Sequence, residues 1–124
     1  MIRILLAEDD GSMRFYLARA LEQAGYEVDA VDRGTAALPL LEAHRYDLLL
    51  SDIVMPEMDG IELAQRCSEI SPYTRVMFIT GFAGVALQVS ESMRGRVLSK
   101  PFHLKDLVLE VERMFEEDWA SATL

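Results

Sequence analysis

A chain of 124 residues that is 51% hydrophobic and 27% charged has the size and balance of one compact domain. Its formal net charge of −9 excludes a direct nucleic-acid binder, which needs a dense Lys/Arg face to displace counterions from the phosphate backbone. No apolar run approaches the ~20 residues of a membrane span, and the stretch MIRILLAEDD is too short in apolar residues for a secretion signal, so no membrane partner and a cytoplasmic location are expected.

Ile2 to Ala7 is an apolar run of strand length, followed by acids. Met13, Leu17, Ala20, Leu21 and Ala24 then recur at helical spacing until Gly25 stops them. Asp10 or Ser12 supplies an oxygen suited to cap that helix. The alternation repeats: YEVDAVD reads as a strand, GTAALPLLEAH as a helix carrying the flaw of Pro39, YDLLLSD as a buried strand and GIELAQRCSEI as a helix. The single cysteine, Cys67, lies on the apolar stripe of that helix and reads as a small core residue rather than a reactive thiol. RVMFIT is a strand, AGVALQVSESM a short irregular helix, RVLS a strand and HLKDLVLEVERMFEED a final helix. Strands and helices joined by short links imply right-handed crossovers and a parallel sheet covered on both faces. Five such units predict a flavodoxin-like (βα)5 doubly wound sandwich of three layers, strand order 2-1-3-4-5, with its ligand site beyond the carboxyl ends of the strands.

Because all strand ends of a parallel sheet share one edge, the residues that end the strands meet there. They are Glu8, Asp9 and Asp10, then Asp52, Thr80 and Lys100. Two carboxylates a few ångströms apart repel by about 4 kcal/mol at an effective dielectric of ~20, so the cluster needs a proton or a cation. Carboxylate and carbonyl oxygens are the donors that hold Mg²⁺. An ammonium and a hydroxyl are the donors wanted around phosphoryl oxygens, and an aspartate can serve as a nucleophile that forms an acyl phosphate. Taken singly, each residue has an ordinary explanation as a loop acid, a helix cap, a turn threonine or a surface lysine. Their convergence on one edge, in this order, does not.

The sequence resembles the response-regulator receiver domain of two-component signalling over nearly its whole length. The residues that carry the resemblance are AEDD after the first strand, LLLSDIVMPEMDG around Asp52, FITG with Thr80 and LSKPF with Lys100. It implies that Asp52 is the phosphoacceptor, that Asp9 binds Mg²⁺ directly with the Val54 backbone carbonyl, and that Glu8 acts through a metal-bound water. Thr80 would hydrogen-bond the phosphoryl group, Lys100 would pair with it, and the Lys100 to Pro101 peptide would be cis. Phosphate would come from a histidine kinase or a histidine phosphotransfer protein, and the receiver would catalyse only its own phosphorylation and dephosphorylation. Residues 1–118 would form the receiver domain and 119–124 a frayed tail, in which Trp119 is available to dock on the body or on a partner. Receivers often carry an aromatic switch residue three positions before the lysine; this chain has Val97 there, which excludes a Tyr or Phe rotamer switch. FITGFAGVAL and LSKPFHLKDLVLEVERM are most similar to CpdR-type single-domain receivers of alphaproteobacteria, which implies an effector protein as partner, either the ClpXP protease or its substrates.

Other functions fit the fold class less well. A phosphorelay shuttle would use the same site without an effector of its own. A Mg²⁺-dependent phosphatase would want a second catalytic acid and a substrate lid, neither of which the sequence offers. A flavin carrier would want hydroxyls and glycines after the first strand, where acids stand instead.

Overall fold

The computed structural model describes residues 1–81, 96–100 and 102–123, except the side chains of Arg96 and of 117–123. The elements run β1 (Arg3–Ala7), α1 (Gly11–Gln23), β2 (Glu27–Val31), α2 (Gly34–Ala43), β3 (Leu48–Asp52), α3 (Gly60–Ile70), β4 (Arg75–Thr80), β5 (Arg96–Ser99) and α4 (Leu104–Thr123). All four strand pairings are parallel, in the order β2-β1-β3-β4-β5, as the alternation predicts. The helix expected at AGVALQVSESM, with Phe82, Val85 and Leu87, lies outside the described residues, as do the Lys100 to Pro101 peptide and the Trp119 side chain. Among the described residues, no helix is long and apolar enough to cross a membrane.

The pleat sends alternate side chains to opposite faces of the sheet, and the two cores follow that alternation. Ile4 and Leu6 of β1, with Leu48 and Leu50 of β3, pack against Leu17 and Leu21 of α1 and against Leu107, Val111 and Met114 of α4. Leu5, Ala7 and Leu49 face the other way, onto Ala37 and Leu41 of α2 and Leu63 and Cys67 of α3. The outcome is the three-layer sandwich. Central strand β3 is buried along its whole length, and Leu48, Leu49 and Leu50 are fully buried, each worth roughly 1.5 to 3 kcal/mol. That anchoring makes the end of β3 a rigid place to mount a side chain. Cys67 is core, as expected, and burial pushes its thiol up to about 11.

Local signals set the helix ends. Asp10, not Ser12, caps α1: its carboxylate accepts from the Met13 N–H at 2.8 Å. Gly25 ends that helix at φ 101, where the Tyr26 N–H donates back to the Leu21 carbonyl at 3.2 Å, a closure that favours glycine in the left-handed position. Pro39 stays inside α2, at the cost of one helical hydrogen bond. The last helix runs on to Thr123 because DWASAT contains neither proline nor glycine to stop it.

Candidate functional site

The sheet register assembles the site. Ala7 of β1 pairs with Ser51 of β3, so Glu8 and Asp52, each one residue further on, stand level on adjacent strands. Both continue the face lined by Leu6 and Leu50. On the other side of β3, Asp52 pairs with Ile79 and Thr80 follows. Thr80 pairs with Ser99, which places Lys100 at the same edge, and the Thr80 carbonyl accepts from the Lys100 N–H at 2.7 Å. Glu8 and Thr80 are fully buried and Asp52 nearly so.

The Lys100 ammonium lies between two carboxylates, donating to Glu8 Oε1 at 3.0 Å and to Asp52 Oδ2 at 3.0 Å. Ligand oxygens of Glu8, Asp9 and Asp52 all lie within 4.8 Å of one another. Burial pushes the Glu8 carboxyl up from its ordinary 4.5 to about 7, and its contact with Asp52 adds to the shift while Lys100 opposes it. Burial works against the charge on Lys100, but hydrogen bonds to Asp52 and Glu8 outweigh it, so its pKa is raised. The cluster thus holds more negative charge than its one ammonium neutralises. A hard cation bound by oxygen relieves that imbalance, and the donor set fits one.

The loop from β3 to α3 is closed on itself. The Ile53 N–H donates to the Ile79 carbonyl at 3.1 Å, and the Ile53 carbonyl accepts from the Gly60 N–H at 2.7 Å. This close return leaves no room for a side chain at Gly60, whose Cβ would collide with the Asp52 carbonyl oxygen. Met55 and Met58 plug the α2 and α3 core, which leaves Val54 exposed at the rim with its N–H directed to Asp52 Oδ1 at 3.3 Å. Glu57 takes a left-handed φ of 69, a conformation that costs a non-glycine residue roughly 1 kcal/mol. Its carboxylate reaches across to the Thr35 hydroxyl at 3.3 Å and to Arg33 at 3.7 Å, tying this loop to the start of α2.

The family model for the response regulator receiver domain matches residues 4–112. The chain belongs to the response regulator receiver family. Among curated relatives it is 60% identical to the "Response regulator receiver protein CpdR" of Brucella abortus, over 92% of this chain and 97% of that protein. It is 35% identical to the "Sensor kinase CckA" of the same organism, over 92% of this chain but 12% of that kinase. Among solved structures it is similar to the response regulator TrrA from Thermotoga maritima in complex with Mg²⁺ and BeF, with a TM-score of 0.82 and 28% identity over 91% of this chain and 98% of that one.

Receiver domains generally bind Mg²⁺ in an acidic pocket, and Glu8, Asp9 and Asp52 form such a pocket here. The structure brings Glu8, Asp9, Asp52 and Lys100 of this receiver together, ties Thr80 to them through the backbone, and sets Val54 at the rim. Sequence reasoning missed three participants. The bridge from Lys100 to Glu8 spans nearly the whole chain and has no local signature. Arg14 donates to the Glu8 carbonyl at 3.0 Å; its place one turn after the acids was the available clue. Glu57 stands in a turn position where Gly or Asn would have announced the left-handed conformation.

Proposed function

We propose that this receiver is a phosphorylation-controlled protein-interaction switch in which Asp52 is the phosphoacceptor. The observation that carries the proposal is the Lys100 ammonium, 3.0 Å from both Asp52 and the buried Glu8, beside an acidic pocket with room for a divalent cation. Asp9, the Val54 carbonyl and Asp52 would hold Mg²⁺, with Glu8 acting through a metal-bound water. Bound there, Mg²⁺ would neutralise charge on the incoming phosphoryl group.

An Asp52 oxygen attacks the phosphorus of a phosphohistidine on a histidine kinase or a histidine phosphotransfer protein. The new O–P bond forms as the P–N bond breaks, and the imidazole leaves with the electron pair and takes up a proton. Lys100 turns from its shared position toward the phosphoryl oxygens, and Thr80 donates its hydroxyl to the same group. The rigid end of β3 keeps Asp52 aligned throughout, so the work of the site is positioning and electrostatic stabilisation. Movement of Thr80 and Lys100, which are linked through their backbones, biases a two-state equilibrium at the surface that follows β4 and includes β5 and α4. The similarity to CpdR supports an effector protein as the reader of that surface, either the ClpXP protease or its substrates.

The test is treatment with acetyl phosphate and Mg²⁺, followed by intact-mass measurement. Wild type should gain one phosphoryl group and Asp52→Asn none; a wild type that gains none overturns the proposal. A pull-down with untreated, beryllofluoride-treated and Asp52→Ala protein should then capture the effector in only one state, whereas a phosphorelay shuttle would return the phosphoryl group to a second histidine protein and capture no effector.

A further inference from the structure

We infer that Arg14 is a positioning residue for the cation pocket, one that sets the aim of Asp9 by holding the peptide between Glu8 and Asp9. This rests on the Mg²⁺ reading of the pocket given above. The three acidic residues after β1 are not held alike. The Glu8 side chain is fully buried and bound to Lys100, and its N–H donates to the Val31 carbonyl at 3.1 Å. Asp10 is fixed as the cap of α1. The Asp9 side chain is exposed and, among the described residues, accepts no hydrogen bond, so its direction is left to the backbone.

On the far side of Asp9 that backbone is held by a long 3.5 Å hydrogen bond from the Asp10 N–H to Glu8 Oε2, and on the near side by Arg14. From the first turn of α1 the half-buried guanidinium folds back over the loop, and its Nη1 donates to the Glu8 carbonyl at 3.0 Å. The Glu8 carbonyl, the Asp9 nitrogen and the Asp9 Cα share one peptide plane. Fixing the carbonyl therefore fixes the direction of the Asp9 N–Cα bond, from which the Asp9 side chain branches. A hydrogen bond from a charged donor is stronger than a neutral one, and the helix that carries Arg14 is anchored in the core by Leu17 and Leu21.

A second effect of Arg14 opposes the first, since its positive charge near the pocket repels a divalent ion. The two differ in sign, which makes them separable by titration calorimetry of Mg²⁺ into the full chain. Loss of a group that orients a metal ligand typically weakens metal binding by about 10- to 100-fold. Arg14→Met, and Arg14→Ala as a second donor-free variant with high helix propensity, should bind Mg²⁺ about tenfold more weakly, at the low end of that range because each also removes the repelling charge. Arg14→Lys keeps a charged donor and should recover most of the loss. Urea midpoints of the same variants show that the protein titrated is folded. Donor-free variants that bind Mg²⁺ as tightly as wild type or more tightly, or an Arg14→Lys variant as weak as Arg14→Met, would overturn the inference while leaving the Mg²⁺ reading intact. Wild type that binds no Mg²⁺ sinks that reading and the inference with it.

Discussion

Glu8→Gln should make the metal-free protein more stable, and by an amount that grows with pH. Glu8 has no solvent exposure, and burial is the main reason its carboxyl titrates near 7 instead of its ordinary 4.5. A raised carboxyl pKa means that the folded state binds the proton more tightly than the unfolded chain. Its contribution to stability is therefore complete below about pH 4.5 and is lost as pH rises through about 7. A shift of this size corresponds to about 3 kcal/mol. Glutamine keeps the shape, stays neutral at every pH and retains donors and acceptors for the neighbouring groups. In urea titrations with a chelator present, the advantage of Glu8→Gln over wild type should rise from ~1 kcal/mol near pH 5.5 to ~3 kcal/mol near pH 8, with the slope of the unfolding transition unchanged. Saturating Mg²⁺ should shrink the difference at high pH, because metal binding favours the deprotonated carboxylates. A difference that is flat across this range, or a Glu8→Gln protein less stable than wild type at pH 8, would refute the reasoning: the pairing with Lys100 would then fully offset the burial.

Two backbone predictions follow from the β3 to α3 loop. Gly60→Ala should destabilise the fold by about 3 kcal/mol or more, since the added Cβ meets backbone that cannot rotate away; Gly11→Ala, whose Cβ would touch only the Arg14 side chain at 3.7 Å, serves as the control and should change the urea midpoint little. Glu57→Gly should raise stability by roughly 0.5 to 1 kcal/mol, because relief of the left-handed strain outweighs loss of an exposed 3.7 Å ion pair with Arg33; a lowered urea midpoint would show that the contacts to Arg33 and Thr35 dominate.

The parts of this receiver that could be read from its sequence are those fixed by local pattern and general handedness. Apolar runs that stop abruptly at Glu8, Asp52 and Thr80 mark strand ends, and right-handed crossovers then bring those ends to one edge. The cap of α1 could be narrowed only to Asp10 or Ser12, because both side chains offer an oxygen at helix-start spacing. The choice depends on backbone angles, and Asp10 is the residue in extended conformation. What stayed hidden was contact between distant segments. Lys100 reaches Glu8 across 92 positions, and the collision that restricts Gly60 involves the Asp52 carbonyl, which no spacing rule describes. The burial of Glu8 was hidden for a related reason: AEDD reads as a solvated acidic loop, whereas the pleat turns its first acid into the sheet interior.

The shared lysine couples the proposed chemistry of Asp52 to the state of Glu8. One ammonium serves two carboxylates at equal distance, so whatever draws Lys100 toward Asp52 withdraws it from a Glu8 that is shielded from bulk solvent. A phosphoryl group on Asp52 would draw it in that direction. Glu8 would then have to take up a proton or gain another cation, since an unpaired buried carboxylate is strongly disfavoured. At neutral pH, a bound divalent ion answers that need without proton uptake and also offsets the charge of the phosphoryl group. The burial of Glu8 would thus give a phosphorylated site a stronger requirement for metal than exposed acids would.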